Sequence, residues 1–289
     1  WTVDGRAYGH GRGLSQWGAQ GAALQGRTAS EILAFYYPGT QMVSTGNPAV
    51  RVLLAAYTPT TTVTIWSPEN RPIRMGAMPN EEWVPAGRWT ITVADSTVTA
   101  QRRDVPGGPV TETRTYTGTV RFETGADYGI AVAAGPDATT ARWYRGDLRV
   151  EPTGGVGFNL TNNLVQEDYL RSVVPRESPA SWSAAALQAQ AVAARSYARY
   201  KMIYNGGICD TTACQVYYGR GDINAAGALV TSWEDPRTDN AIAATAEQVL
   251  IYNGTIAFTE FSSSNGGWTS AGGVPYQVAK ADPWTGTAP

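Results

Sequence analysis

The amino-acid sequence predicts an α+β fold: a mixed core of helices with a C-terminal β-hairpin, plus a β-rich middle subdomain. Three observations predict it. Ala- and Gln-rich runs with helical character stand in residues 1–45 and 159–289. Between them, residues 46–158 carry period-two alternation of apolar and polar side chains. The 32 Gly and 17 Pro among 289 residues supply the turns that short strands need. The expected organisation follows these stretches: 1–45 packing with the core, 46–158 as a β-rich subdomain, and 159–289 as the core itself.

The N-terminal stretch opens Gly9-His10-Gly11-Arg12-Gly13 and continues into a helical run from Leu14 to Ala22. A second short helix is predicted from Ala29 to Tyr37, with Thr28 and Ser30 as capping residues and a stop at Pro38-Gly39. Strands are predicted around Arg51–Leu54, Thr62–Trp66, Arg88–Val93, Thr119–Phe122 and Arg142–Tyr144, separated by turns such as Pro106-Gly107-Gly108-Pro109. The last stretch predicts a helix from Leu164 to Val174, interrupted at Pro175. A longer helix runs from Ala184 to Met202, with Pro179 and Ser181 or Ser183 as start signals. Asn253-Gly254 between Gln248–Tyr252 and Thr255–Phe261 predicts a hairpin, closed by the polar loop Ser262 to Thr269.

Composition removes several classes of function. With 22 basic and 24 acidic residues the formal charge is −2, so the clearly basic face of a nucleic-acid binder is not expected. No run approaches the roughly 20 apolar residues of a membrane span. His10 is the single histidine, which excludes zinc and triad chemistries that need two or three imidazoles. No signal peptide precedes Trp1, and an export signal is expected to have been removed. The 10 Trp and 15 Tyr, beside 5 Phe, suit the face of a sugar ring or the filling of a β core.

Two places carry chemistry. Glu177 stands between Pro175 and Pro179 among Val and Trp residues, where the prolines restrict the direction of its carboxyl. Apolar neighbours favour the protonated form that a general acid needs, whereas a helix start and Arg176 favour the ionised one. A helix-capping loop glutamate is the plainer alternative. The loop Ser262-Ser263-Ser264-Asn265-Gly266-Gly267-Trp268-Thr269 offers hydroxyls, an amide and free backbone N–H groups to a sugar, or is an ordinary Gly-Ser turn. It lacks a G-x-S-x-G elbow, and Gly9 to Gly13 lacks the spacing and the Lys of a phosphate loop. Cys209 and Cys214 admit a local disulfide, free thiols or a share of a metal site; a disulfide fits an oxidising compartment.

Together these segments resemble the SpoIID/LytB (stage II sporulation protein D and amidase enhancer) family. The resemblance rests on Tyr169 to Pro179, Trp182, Ala186 to Ala198, Cys209 to Tyr217, Phe261 to Thr269, and a Gly-His-Gly segment ending in Tyr-Tyr-Pro-Gly-Thr at Thr40. It covers residues 5–40 and about 160–283. The Gly-His-Gly segment often closes the family domain and here opens the chain, and Ser178 stands where many relatives carry Met.

The resemblance implies a peptidoglycan lytic transglycosylase, a lyase that forms 1,6-anhydro-muramic ends, with Glu177 as catalytic acid and then base. It implies that Arg195 orients Glu177 or contacts the glycan. Gln215, Ser262, Ser263, Gly266, Gly267 and Thr269 would form a sugar-binding wall, bordered by His10 and Gln16. No cofactor is expected. Some relatives place cysteines of the matching loop in a zinc site, but this loop has no His, so no metal and a Cys209–Cys214 disulfide are expected. The implied partners are peptidoglycan glycan strands and a cell-wall amidase, without nucleic acid, in an extracytoplasmic, secreted or cell-wall-associated setting. The alternative is a non-catalytic peptidoglycan-binding activator of such an amidase.

Overall fold

A computed structural model describes residues 7–58, 60–125, 128–135 and 138–285. The fold is α+β, as predicted. Two compact units are present, and both are discontinuous in sequence: residues 1–48, 173–206 and 235–289 form one, and 49–172 with 207–234 the other. Residues 159–172 and 207–234, expected with the core, therefore cluster with the β-rich stretch.

The helices are α1 (Gln16–Leu24), α2 (Ala29–Tyr36), α3 (Gln166–Glu177), α4 (Ala184–Asn205) and α5 (Pro236–Ala244). In the first unit α4 is central. Its residues from Ala186 to Ala198 are buried on almost every face except at Gln188, so the helix is enclosed rather than amphipathic. Small side chains allow this: Ala186, Ala189 and Ala193 share a core with Ala19 and Ala22 of α1, Ile32 and Leu33 of α2, and Leu250. The helix stops at Gly206, in left-handed conformation with its N–H on the Met202 carbonyl. α2 begins with a reciprocal cap, in which the Thr28 hydroxyl accepts from the Glu31 N–H and Glu31 accepts from the Thr28 N–H.

Two expectations are corrected here. Leu164 and Val165 finish a strand, Phe158–Val165, and the helix that follows runs through Pro175 to Glu177. Proline removes one N–H from the last turn, but Ser178 still donates to the Val174 carbonyl at 3.0 Å, so the helix closes beyond it. The second hairpin strand also ends early. Gln248–Tyr252 pairs with Thr255–Ile256 across Asn253-Gly254, both at positive φ as the tight turn requires. Phe261–Ser262 instead pairs in parallel with Leu14–Ser15.

The second unit holds two sheets. An eight-stranded antiparallel sheet runs in the order 112–117, 97–103, 88–94, 62–66, 130–133, 140–144, 221–224 and 229–232. A seven-stranded sheet runs 208–209, 49–53, 158–165, 147–152, 120–123, 73–77 and 82–84, antiparallel except where Ile208–Cys209 meets Val52–Leu53. The strands predicted between residues 46 and 158 fall in these sheets. Trp66, Ala131, Ala133, Ala141, Trp143 and Ile223 form one core cluster of this unit.

Candidate functional site

Gly9 to Gly13 runs against the chain from Glu260 to Ser270. The Gly11 N–H donates to Ser262 Oγ at 3.2 Å, and the Ser270 N–H donates to the Gly11 carbonyl at 2.8 Å. Gly13, at φ +64°, lies so close that a Cβ would collide with the Glu260 carbonyl oxygen. That carbonyl accepts from the Leu14 N–H at 3.2 Å and the Tyr37 hydroxyl at 2.7 Å. The alternation of glycines thus lets one backbone lie on another and leaves His10 and Arg12 as the side chains the segment presents.

Arg12 closes on Glu260 through two bonds, Nε to Oε2 at 3.0 Å and Nη2 to Oε1 at 2.6 Å. The Glu260 side chain is 14% exposed, and its partnership raises the Arg12 guanidinium above its ordinary range. The Arg12 N–H donates to His10 Nδ1 at 3.0 Å, which makes that nitrogen an acceptor. Burial of part of the ring, then the Arg12 charge, pushes the His10 imidazole below its ordinary range, with Glu260 acting in the opposite sense. Both effects favour the neutral ring.

Glu177 is the last residue of α3 and half-buried. It ends a helix rather than preceding one, so its carboxyl meets the carbonyl end of a helix. Tyr197 of α4 is only 8% exposed. Burial first, then the charges of Glu260 and Glu177, pushes the Tyr197 phenol up to about 12. One phenol thus feels the charge of both carboxyls, and Glu260 is in turn bonded to Arg12. Trp17 and Trp182 meet edge to face, ring centroids 5.0 Å apart, in the same unit. Ser183, just after Trp182, donates its N–H to Gln20 Oε1 at 2.9 Å.

The other expected site residues divide. Ser262, Ser263, Gly266, Gly267 and His10 belong to this same unit, with Gly266 and His10 exposed. Ser262 is occupied by the Gly11 N–H, and the Ser263 carbonyl accepts from the Trp17 N–H at 3.0 Å. Four residues are corrected as glycan contacts, because none has side-chain surface to offer; that Arg195 orients Glu177 stands as a proposal. Arg195 is fully buried and donates to the carbonyls of Gln248 at 3.0 Å and Ile242 at 3.3 Å. Gln215 is buried in the other unit and accepts from the Tyr169 hydroxyl at 2.9 Å. Thr269 bonds the Val278 and Lys280 carbonyls, and Gln16 is buried at the start of α1. Sequence reasoning missed Tyr197, Arg12 and Glu260 as site residues. The available signal was Glu260 as a lone charge in Ala257-Phe258-Thr259-Glu260-Phe261.

Cys209 and Cys214 form a disulfide in the β-rich unit. Among the described residues no group of three or more His, Cys, Asp or Glu could hold a metal ion, and no helix is long and apolar enough to cross a membrane.

Comparison with known proteins places residues 155–252 on the family model described as SpoIID, Stage II sporulation protein. The amidase enhancer of Bacillus subtilis (strain 168) is 43% identical over 119 residues, covering 39% of this chain and 15% of that protein. Stage II sporulation protein D of the same organism is 31% identical over 162 residues, covering 49% and 47%. The protein of that name from Bacillus amyloliquefaciens is 30% identical over 190 residues, covering 57% and 55%. The chain therefore spans between 15% and 55% of the length of these relatives. No solved structure matches it.

Proposed function

We propose that this chain, similar over residues 155–252 to the SpoIID family, cuts peptidoglycan glycan strands as a lytic transglycosylase through Glu177. The observation that carries the proposal is a half-buried Glu177 whose charge acts on the same phenol, Tyr197, as that of a second carboxyl, Glu260, which is bonded to Arg12. A hydrolase would need both carboxyls, one as acid and one as base or nucleophile. With Glu260 engaged, Glu177 acts alone. It protonates the glycosidic oxygen between N-acetylmuramic acid and N-acetylglucosamine. It then accepts the proton of the muramic 6-hydroxyl as that oxygen attacks C1. The nucleophile belongs to the substrate and is already positioned, which replaces the second carboxylate and the water.

Purified protein incubated with peptidoglycan should release anhydromuramyl fragments detectable by mass spectrometry, and Glu177→Gln should abolish them. Products without the anhydro group, or product persisting in Glu177→Gln, would overturn the assignment. The amidase-enhancer relative favours a second reading, in which the chain binds peptidoglycan and activates a cell-wall amidase. Under that reading the Glu177→Gln protein stimulates an added amidase as well as the parent does. Either activity is extracytoplasmic, and the disulfide supports that compartment.

A further inference from the structure

Tyr197 does more than feel the charge of the two carboxyls. Its ring stacks on Phe258, with centroids 5.3 Å apart and planes at 27°. Phe258 lies 4.8 Å from Tyr200, and Tyr200 lies 4.3 Å from Tyr204. Positions 197, 200 and 204 follow three- and four-residue steps, so they share one face of α4. Exposure rises along the series, from 8% at Tyr197 through half-buried Phe258 and Tyr200 to 56% at Tyr204. Core aromatics do not end in this way: the last ring gives most of its surface to solvent, and neighbouring Ile203 is also 56% exposed. The Lys201 ammonium stands 5.5 Å from the centroids of both Tyr197 and Phe258, adding a cation beside the rings. Tyr276 joins from below, its hydroxyl accepting the Phe258 N–H at 2.6 Å, and its phenol is raised by burial and then by the phenols of Tyr200 and Tyr204. Phenol hydroxyls therefore gather at the edge of an apolar stair.

We propose that Phe258, Tyr200 and Tyr204, with Lys201, form a stacking platform that carries the glycan strand outward from Glu177 along α4. The proposal rests on the glycan-cleaving site described above and specifies its substrate contacts. From Tyr197 to Tyr204 the helix rises roughly 10 Å, a span that suits a disaccharide-sized stretch of polymer. Pyranose rings present C–H faces to aromatic π surfaces, while their hydroxyl and acetamido groups meet polar edges. The phenols and the Lys201 ammonium supply those edges. A substrate held this way is a β-1,4-linked chain of N-acetylated amino sugars. A short fragment reaching only Tyr197 forfeits the outer contacts.

The test uses the whole chain carrying Glu177→Gln, so that binding is read without turnover, and N-acetylglucosamine oligomers as soluble probes. The hexamer should bind more tightly than the dimer. Adding Tyr204→Ala should weaken the hexamer roughly three- to tenfold and leave the dimer unchanged, and Tyr204→Trp should restore the hexamer. Tyr204 is exposed in the last turn of α4, so these variants keep the fold, which far-ultraviolet circular dichroism verifies. On the catalytically intact chain, Tyr204→Ala should raise KM for glycan strands and leave kcat near its parent value. The platform is overturned if Tyr204→Ala and Tyr200→Ala bind the hexamer as the parent does, or if no oligomer binds. Length-dependent binding that is sensitive to Tyr204, without anhydromuramyl product, would retain the platform and discard the lyase. Anhydromuramyl product indifferent to Tyr204 would do the reverse.

Discussion

Arg12 and Glu260 stand 248 positions apart in sequence, and their two-bond pairing leaves His10 as a reporter beside them. The imidazole is pushed down by burial and by Arg12, so in the folded chain it gives up its proton at a lower pH than in the unfolded one. The sign of the stability effect follows. The contribution is complete above the ordinary value of 6.5, falls as pH drops toward the lowered folded value, and is flat below it. Because His10 is the only histidine, its ring proton resonances are unambiguous in an NMR titration. The midpoint should lie below 6.5, and Arg12→Ala should move it upward by removing the guanidinium and leaving Glu260 charged nearby. A midpoint at or above 6.5 in the parent would contradict the geometry. At this scale a lone carboxyl between two prolines draws the eye to Glu177 in the sequence, and the structure sets it half-buried at the end of α3. The enclosure of Arg195 and Gln215 was not legible there. Whether a polar side chain faces a ligand or a buried carbonyl depends on the packing of distant segments, and both prove to be enclosed.

At the scale of elements, local signals were legible where local chemistry decides. Thr28 and Glu31 announce the start of α2, and Asn253-Gly254 announces the hairpin turn. The passage of α3 through Pro175 was not legible, since helix propensity penalises proline without registering that the next turn still closes. The pairing of Leu14–Ser15 with Phe261–Ser262 was equally hidden, because parallel partners so far apart leave no periodic mark. Gly13 is where that pairing is most demanding. Gly13→Ala should cost at least about 2 kcal/mol in chemical denaturation, from a side chain at positive φ together with a backbone collision. Gly26→Ala is the control. Gly26 is also left-handed, at φ +83°, but nothing lies within 4 Å of its added Cβ, so about 1 kcal/mol is expected. Equal losses in the two variants would show that the contact with Glu260 is not what makes Gly13 necessary.

For the whole molecule, composition changes mark where strands begin in the sequence, but they do not mark where a sheet is completed. The β-rich stretch at 46–158 reads as a contiguous subdomain, yet its sheets draw on residues beyond it. Phe158–Val165 pairs with both 147–152 and 49–53, and it contributes the buried Phe158, Leu160, Thr161 and Asn162. On the other sheet, 221–224 covers strand 140–144, with Ala141 facing Ile223 and Trp143 facing Gly221. The Cys209–Cys214 disulfide belongs to this completion as well. It fixes the loop in which Asp210 accepts the Ala55 N–H at 3.0 Å, and Tyr217 then bonds Asn162 in the buried interior. A fragment of residues 46–158 therefore lacks a central strand of one sheet and leaves an apolar edge open on the other, a combination that promotes association rather than folding. Expressed alone it should be insoluble, or soluble without a cooperative thermal transition. The parent chain, measured alongside by the same circular dichroism melt, should unfold cooperatively. A monomeric fragment 46–158 that melts cooperatively would mean that 158–165 and 207–234 only decorate a sheet complete without them.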